Sequence, residues 1–226
     1  MTSLDAPALS GSLVRLEPLS ATHVPDLTQA AEENRAAYGF TYVPRAAETA
    51  DYVEKQRHQP GLAYFAQVRI ADEKAVGCTS YGDLRTWRGR DSLRAVEIGG
   101  TWLAATAMGT GINAEAKLLL FTYAFETLGV ARVDLKTDAR NEKSRRAIAA
   151  LGAHFEGVLR NWSPSWADGE QGKLRDTAIF SVIDSEWPAA KAALAARVQA
   201  LARRPGTATN ENRTDGRQQG ALGEMN

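Results

Sequence analysis

The spacing of apolar residues predicts interleaved strands and helices along most of the chain. Leu13–Leu19 alternates apolar and polar residues, as a half-buried strand does. Helical segments are predicted from Ser20 to about Ala37 and from Ala46 to Gln59, where Pro60-Gly61 signals a turn. An aromatic-rich loop, residues 39–44, joins these two helices.

Six further strands and three further helices follow the second helix. The strands are predicted at 63–70, 75–84, 93–103, 130–137, 154–161 and 174–183, and the helices at 113–128, 141–151 and 185–202. Gly99-Gly100 interrupts one strand, which predicts a β-bulge or a close backbone approach there. Because strands and helices do not alternate strictly, the pattern predicts an α+β fold with a mixed sheet of about seven strands flanked by helices.

Composition separates the two ends of the chain from its middle. Residues 1–11 are expected to be a flexible lead-in, and residues 12–203 one domain. From Pro205 onward only Leu222 and Met225 are large and apolar, so the segment cannot bury enough surface to offset the entropy of ordering it. We therefore expect residues 204–226 to be a disordered tail.

Charge and cysteine content narrow the possible partners. Lys and Arg together number 27, as do Asp and Glu, so net charge gives no support for a nucleic-acid partner. The single cysteine, Cys78, excludes an internal disulfide and favours a reducing compartment. There is no signal-peptide pattern and no apolar run near the ~18 residues of a membrane span. These features predict a cytoplasmic protein without a membrane partner. His23, His58 and His154 lack metal-ligand spacing, so no metal is expected.

A glycine turn is the first candidate for chemistry. Val96–Trp102 leads into Gly109–Lys117, which reads as a strand, a Gly-x-Gly turn and a long helix. The first helical turn has unpaired N–H groups and favours an anion, and glycine lets a phosphate approach the backbone. The same pattern also serves as a plain strand-to-helix turn. Two other phosphate-binding motifs are excluded. Ile112-Asn113 stands where a Walker loop needs Lys-Ser or Lys-Thr, and Ala114 stands where a dinucleotide fingerprint needs its third glycine.

A second group of residues gives the turn a context. Arg132–Asp138 is followed by Asn141–Ile148 and Leu151-Gly152. With the glycine turn, these segments resemble the GNAT acetyltransferase superfamily, particularly its RimJ/RimL-type branch of ribosomal-protein N-acetyltransferases. The resemblance runs from about Leu13 to Trp187. It implies a mostly antiparallel sheet and transfer of an acetyl group from acetyl-coenzyme A, the cosubstrate, to a primary amine that attacks the thioester directly.

The resemblance also assigns roles in coenzyme binding. The coenzyme A pyrophosphate would be bound by the backbone N–H groups of Gly109, Thr110, Gly111, Ile112 and Asn113. The strand near Trp102 and Leu103 would hydrogen-bond the pantetheine arm like an added strand. Thr106 stands where the family usually has Gln or Arg, which leaves the shape of the loop open.

Three polar residues are the candidates at the reacting group. Asn141 would contact the pantetheine or position the thioester, although it also suits a helix N-cap. Ser144, on the same helix, would protonate or solvate the departing thiolate, unless its hydroxyl only bonds local backbone. Glu97, in the strand before Gly99-Gly100, is where the resemblance places a carboxylate that faces the acceptor; its alternatives are an exposed position or an ion pair.

Amine chemistry explains why a base is needed. An amine attacks a thioester only when neutral, whereas a lysine amine titrates near about 10.4 and an α-amine near about 8. A group must therefore take the amine proton directly or through water, and Glu97 is the candidate. Cys78, in a predicted strand, is expected to be a buried, inert thiol. Tyr38, Phe40 and Tyr42 are either packing residues or one wall of the acceptor site.

The sequence leaves the acceptor open. A protein N-terminus follows from the branch that the chain resembles, and the alternative is a small-molecule amine such as an aminoglycoside or a polyamine. A third hypothesis is a coenzyme-binding module without catalysis, against which Glu97, Asn141 and Ser144 argue. A homodimer is compatible with the sequence.

The composition of the tail yields a test. We expect a chain that ends at Arg204 to keep its melting temperature and its affinity for acetyl-coenzyme A, because the residues after Arg204 offer no apolar stripe for packing. Thermal melting with and without acetyl-coenzyme A measures both properties. A loss of several degrees on truncation would show that the tail packs on the domain.

Overall fold

Eight strands form one sheet in Leu4, residues 6–87 and residues 92–203, the part of the chain that this computed structural model describes. The strands are β1 (Leu9–Ser10), β2 (Val14–Pro18), β3 (Ala63–Arg69), β4 (Lys74–Thr86), β5 (Leu93–Leu103), β6 (Arg132–Asp138), β7 (His154–Pro164) and β8 (Leu174–Ile183). Their order across the sheet is β1-β2-β3-β4-β5-β6-β8-β7. Only β5 and β6 pair in parallel. The predicted α+β fold with a mixed, mostly antiparallel sheet is confirmed.

The alternation pattern does not predict β1, the first of the eight strands. Leu9–Ser10 lies inside the predicted lead-in of residues 1–11 but pairs with β2, Leu9 opposite Leu16. A tight turn explains the pairing, since the Gly11 N–H donates to the Val14 carbonyl at 2.9 Å. Two residues are too few to show a period of two, so only the structure reveals this strand. The predicted tail, residues 204–226, lies outside the described residues.

Five α-helices flank the sheet in the described part of the chain. They are α1 (Val24–Glu32), α2 (Thr49–Arg57), α3 (Ile112–Thr122), α4 (Glu142–Ala149) and α5 (Trp187–Ala202). The long helix predicted to Leu128 is α3 followed by a π-helical turn, Tyr123–Thr127, and Gly129 at φ 63° ends it. Leu120 and Phe121 of α3 are fully buried, and Phe125 stacks on Trp187 of α5 at 5.3 Å between ring centroids. Apolar packing therefore holds α3 between the sheet and α5.

The two parallel strands stay together for only part of their length. Ala95–Glu97 pairs with Arg132–Asp134, and the strands separate after that point. On its other side β5 carries one extra residue against β4, because Ser80 lies opposite Gly99 whereas Cys78 lies opposite Trp102. Gly100 occupies the left-handed region at φ 58°, which a residue with a side chain adopts at a cost. The predicted β-bulge at Gly99-Gly100 is confirmed, and it lies where β5 and β6 open.

A buried carboxylate connects the start of α3 to the edge of the sheet. Glu115 is 5% exposed and accepts hydrogen bonds from the backbone N–H groups of Ser12, Leu13 and Val14 and from the Ser12 hydroxyl, at 2.6–2.9 Å. A Cβ on Gly11 would lie 2.3 Å from its carboxyl carbon, so this position needs glycine. The contact fixes the first turn of α3 against β2.

Glu115 therefore gives a test of the fold. We expect Glu115→Gln to lower the free energy of unfolding by roughly 2 kcal/mol or more, because one acceptor oxygen becomes an NH₂ group that faces donors, and an unsatisfied buried group costs about 1–3 kcal/mol. Urea denaturation measures the change. The matched control is Glu54→Gln at an exposed position, for which we expect a change within about 0.5 kcal/mol. Equal losses in the two variants would contradict this account of Glu115.

Candidate active site

A cavity of about 1020 Å³ lies where β5 and β6 separate. The N-terminal ends of α3 and α4 border it, as does the aromatic-rich loop between α1 and α2. Six of the predicted site residues line it: Trp102, Leu103, Gly109, Asn113, Asn141 and Ser144. The other four, Glu97, Thr110, Gly111 and Ile112, lie within three residues of a lining residue but are outside the lining itself. The structure thus brings distant parts of the predicted site to one place.

The glycine turn has the conformation expected for an anion site. Gly109 and Gly111 both have positive φ, 78° and 98°, and Gly111 is the N-cap of α3. Within the described residues, the backbone N–H groups from Gly109 to Asn113 donate no hydrogen bond. The side-chain oxygen of Asn113 is buried and likewise has no partner in this part of the chain. Several donors and one acceptor are therefore free at the cavity end of α3.

Thr106 shows how the loop is held without the usual Gln or Arg. Its backbone N–H and its hydroxyl both donate to the carboxylate of Glu33, at 2.9 and 3.1 Å. The Thr110 hydroxyl closes the turn by donating to the Ala107 carbonyl at 2.7 Å. The loop before α3 is thus fixed by short polar contacts.

Trp102 and Leu103, at the end of β5, are held by contacts inside the fold. The Trp102 carbonyl accepts from the side-chain amide of Gln67 at 3.3 Å, inside the fold, and the indole N–H donates to the Tyr52 hydroxyl at 3.4 Å. Both side chains are nearly fully buried. The Trp102 carbonyl is therefore engaged within the protein, and Leu103 lies opposite Gly77 of β4 in the sheet.

Asn141 and Ser144 form the start of α4. The Asn141 side-chain oxygen accepts from the Ser144 backbone N–H at 3.0 Å, so the predicted N-cap is confirmed. Within the described residues its amide NH₂ group donates no hydrogen bond, and Asn141 lines the cavity. The Ser144 hydroxyl makes no hydrogen bond within the described part of the chain, which argues against the alternative that it bonds local backbone. This hydroxyl is half-buried and borders the cavity.

Glu97 is one partner of an ion pair beside the cavity. Its carboxylate lies 2.9 Å from the Lys136 ammonium on β6, and the two side chains are 23% and 14% exposed. Lys136 also contacts Asp83 at 3.3 Å and lines the cavity. Partial burial works against the Lys136 ammonium, but the two carboxylates outweigh it and raise its pKa above the ordinary value. The ion-pair alternative for Glu97 is therefore confirmed, and the pair lies next to the cavity.

Lys117 is a site residue that the sequence reasoning missed. It is 4% exposed, and its ammonium donates to the hydroxyls of Thr79 and Thr101, at 2.9 and 2.6 Å. Burial lowers the pKa of Lys117 to about 7. The signal was present in helical spacing, since Lys117 shares a face of α3 with the buried residues Ala114 and Phe121. A lysine on the apolar face of a helix is rarely fully buried without a partner, which sets it apart.

Comparison with known families identifies the family of the chain. Residues 14–154 match the family described as the acetyltransferase (GNAT) domain, more than half of the chain. The chain belongs to the GNAT acetyltransferase family. It is an N-acetyltransferase by fold and by sequence, as the sequence resemblance predicts.

Individual acetyltransferases are similar to this chain in sequence or in fold. The putative ribosomal N-acetyltransferase YdaF of Bacillus subtilis is 36% identical over 100 residues, which cover 43% of this acetyltransferase and 50% of YdaF. A GCN5-related N-acetyltransferase from Brucella melitensis superimposes with a TM-score of 0.75 at 30% identity, over 87% of each chain. RimJ of Mycobacterium smegmatis, solved in complex with CoA-disulfide, gives 0.67 at 18% identity over 85% of this chain and 93% of its own. The predicted membership of the GNAT superfamily is confirmed, and the similarity to YdaF supports the RimJ/RimL-type branch.

The opposite wall of the acetyltransferase cavity is aromatic and cationic. Tyr38, Phe40 and Tyr42 all line it, and Tyr42 lies 4.9 Å from Trp166 between ring centroids. Arg175 donates to the Ser163 hydroxyl at 3.0 Å and to the Phe40 carbonyl at 3.5 Å. Burial lowers the pKa of Arg175 from its ordinary value. The sequence reasoning assigned no role to Arg175, which ties the α1–α2 loop to β8.

The remaining candidates, Cys78 and His23, are buried within the fold. Cys78 is fully buried, and burial raises the pKa of its thiol, so the predicted inert thiol is confirmed. His23 is buried and contacts Glu17 at 3.0 Å. In the described residues no cluster of three His, Cys, Asp or Glu side chains could hold a metal ion, and no helix has the length and apolarity to cross a membrane.

Proposed function

We propose that this acetyltransferase moves an acetyl group from acetyl-coenzyme A to a primary amine by direct attack of the amine on the thioester. The observation that carries the proposal is one shared cavity. The glycine turn and the start of α4 line this cavity, and the Glu97–Lys136 ion pair lies beside it. CoA-disulfide in the RimJ complex, on the same fold, supports coenzyme A as the ligand.

The free polar groups of the cavity fit the parts of coenzyme A. The unpaired N–H groups of residues 109–113, at the positive end of the α3 dipole, suit a pyrophosphate. The orphaned, buried oxygen of Asn113 suits an N–H donor, such as those of the pantetheine amides. The edge of β5 near Leu103, left open where β6 turns away, would pair with the pantetheine arm as an added strand does.

The side chains in and beside the cavity would transfer the protons of the reaction. The amine nitrogen bonds to the acyl carbon, the carbon–sulfur bond breaks, and the sulfur leaves with the electron pair. Glu97 would take the proton that the amine nitrogen loses, directly or through a water molecule. The hydroxyl of Ser144 would donate a hydrogen bond or a proton to the departing thiolate, and the amide NH₂ of Asn141 would hold the thioester or the pantetheine next to it.

The acceptor has two candidates, each supported by a different observation. A protein N-terminus is supported by the likeness to the putative ribosomal N-acetyltransferase YdaF. A small-molecule amine is the alternative, and Glu48 and Asp51, two carboxylates that line the cavity, would contact its ammonium groups. Tyr42 and Trp166 are 43% and 48% exposed at its rim and would contact either acceptor.

A screen of amines with acetyl-coenzyme A tests the proposal. Peptides with different N-terminal residues, polyamines and aminoglycosides are incubated with the protein, and free thiol is measured. Transfer to at least one amine is the expected result. Binding of acetyl-coenzyme A without transfer to any of them would favour the coenzyme-binding module instead, and absence of binding would contradict both.

The glycine turn yields a prediction for coenzyme affinity. A Cβ on Gly109 would meet no atom within 4 Å, so Asn and Asp, which tolerate positive φ, fit there with little strain. We expect Gly109→Asp to weaken acetyl-coenzyme A binding at least tenfold more than Gly109→Asn, because only the aspartate repels the pyrophosphate. Calorimetry at low and high salt measures both affinities, and screening should narrow the gap at high salt.

Gly109→Asn is the matched control for shape. Equal affinities in the two variants would place the pyrophosphate away from the turn. Thermal melting without ligand should give the two variants similar stabilities, since they share the same backbone strain.

Glu97 and Ser144 should respond differently to pH when they are substituted. We expect Glu97→Gln to lower the rate roughly 10²–10⁴-fold near neutral pH, as loss of a general base does, and to recover in part at high pH as the free amine forms by itself. We expect Ser144→Ala to cause a smaller loss that high pH does not restore, because a thiol with a pKa near about 8.5 already leaves readily.

The measurement is the pH–rate profile of each variant with the acceptor found in the screen. Neither variant should weaken acetyl-coenzyme A binding by more than ~1 kcal/mol, since the glycine turn is untouched and one neutral hydrogen bond contributes about that much. Lys136→Met serves as a control for the ion pair. Wild-type turnover of Glu97→Gln near neutral pH would show that the base lies elsewhere or that the amine arrives neutral.

A further inference from the structure

Lys117 occupies an unusual place between α3 and the opened part of the sheet. It projects from the helix that begins at the glycine turn, and its ammonium joins Thr79 of β4 to Thr101 of β5. The two threonine hydroxyls are also 2.9 Å from each other. Thr101 lies one residue past Gly100, so the ammonium sits under the bulge from which β5 leaves β6.

No carboxylate compensates this charge. Within the described residues, no Asp or Glu oxygen lies within 4 Å of the Lys117 ammonium. The groups that face it are hydroxyls, Thr79 from β4 and Thr101 from β5, and Thr101 in turn donates to the Gly99 carbonyl at 3.3 Å. Tyr64 of β3 borders the same bulge, next to Gly100. An apolar side chain would fill the position without the cost of desolvating an ion.

The position of the charge relative to the cavity suggests its use. Lys117, Thr101 and Gly100 all line the cavity, on the side of β5. In the transfer proposed above, negative charge develops on the acyl oxygen while the nitrogen–carbon bond forms, and it is withdrawn when the carbon–sulfur bond breaks. A fixed positive charge in a poorly solvated site stabilises such an oxygen more strongly than the same charge in water does.

We propose that Lys117 is a positioning residue for acetyl transfer, which holds Thr101 and the β5 bulge in place and sets one buried positive charge beneath the acyl group. This inference rests on the proposed function. The proposal requires the protonated form of Lys117, the ammonium, during acetyl transfer. Because burial lowers the pKa of Lys117 to about 7, the ammonium predominates below neutral pH and is lost as the pH rises through that value.

Removal of the charge is the test. We expect Lys117→Met to lower kcat roughly 10²-fold, as loss of one electrostatic contact to a developing oxyanion does, with the KM for acetyl-coenzyme A changed by less than about threefold. The melting temperature should stay the same or rise, since an apolar side chain replaces a buried ion. Lys117→Gln keeps a hydrogen-bond donor without the charge, and its kcat should fall nearly as far. Lys74→Met, at an exposed lysine of β4, is the matched control and should keep the wild-type kcat.

The pH dependence separates this role from a purely structural one. The ratio of the wild-type kcat to the Lys117→Met kcat cancels the titration of the acceptor amine, and we expect it to fall towards one between about pH 6 and pH 8.5. A ratio that does not change with pH, or a Lys117→Gln variant as active as the wild type, would overturn the role of the charge.

The outcomes for Lys117 and for the proposed function can be told apart. If the wild type is active and Lys117→Met is equally active, only the inference about Lys117 fails. If Lys117→Met unfolds, Lys117→Gln carries the same comparison. If the wild type transfers acetyl to no amine in the screen, the proposed function fails and the role of Lys117 fails with it.

Discussion

The short parallel contact between β5 and β6 is the constraint on which the rest of the site depends. The two strands pair only through Ala95–Glu97 and Arg132–Asp134, and the bulge at Gly100 then turns β5 away. Backbone groups that a continued ladder would consume are left facing a cavity. A flat, fully paired sheet would have no such opening, because every N–H and carbonyl of a central strand would be bonded.

Helix α3 uses two buried ionisable side chains in opposite ways. Glu115 accepts four hydrogen bonds from the N-terminal segment and fixes the helix to the edge of the sheet. Lys117, two residues later, points to β4 and β5 and meets only hydroxyls. The carboxylate is saturated by donors and is a structural contact. Among the described residues no carboxylate lies within 4 Å of the ammonium, so its burial has a free-energy cost that the fold alone does not explain.

Local sequence patterns predicted the strands, helices and turns of this fold well. They predicted contacts between residues that are distant in the sequence poorly. The β5 bulge, the Asn141 N-cap and the glycine turn each follow from the residue types at one position and its neighbours. The Glu97–Lys136 pair does not, because it depends on the register of two strands whose residues are 39 positions apart. The depth of Lys117 depends on how α3 is rotated against the sheet, and the two-residue strand β1 is too short to show a period.

The two halves of the cavity are built from different kinds of groups, which explains why the coenzyme can be inferred and the acceptor cannot. The coenzyme half is mainly backbone: N–H groups of a helix terminus and the open edge of a strand. Such groups require glycines and a helix start at fixed spacing, and that spacing is visible in the sequence. The acceptor half consists of side chains from separate loops, such as Tyr42 and Trp166, brought together only by folding. Arg175 of β8 contacts Ser163 of β7 and the Phe40 carbonyl of the α1–α2 loop, so the proposed acceptor half depends on a contact between residues 135 positions apart. Changes in those loops would alter the acceptor while leaving the acetyl donor site intact.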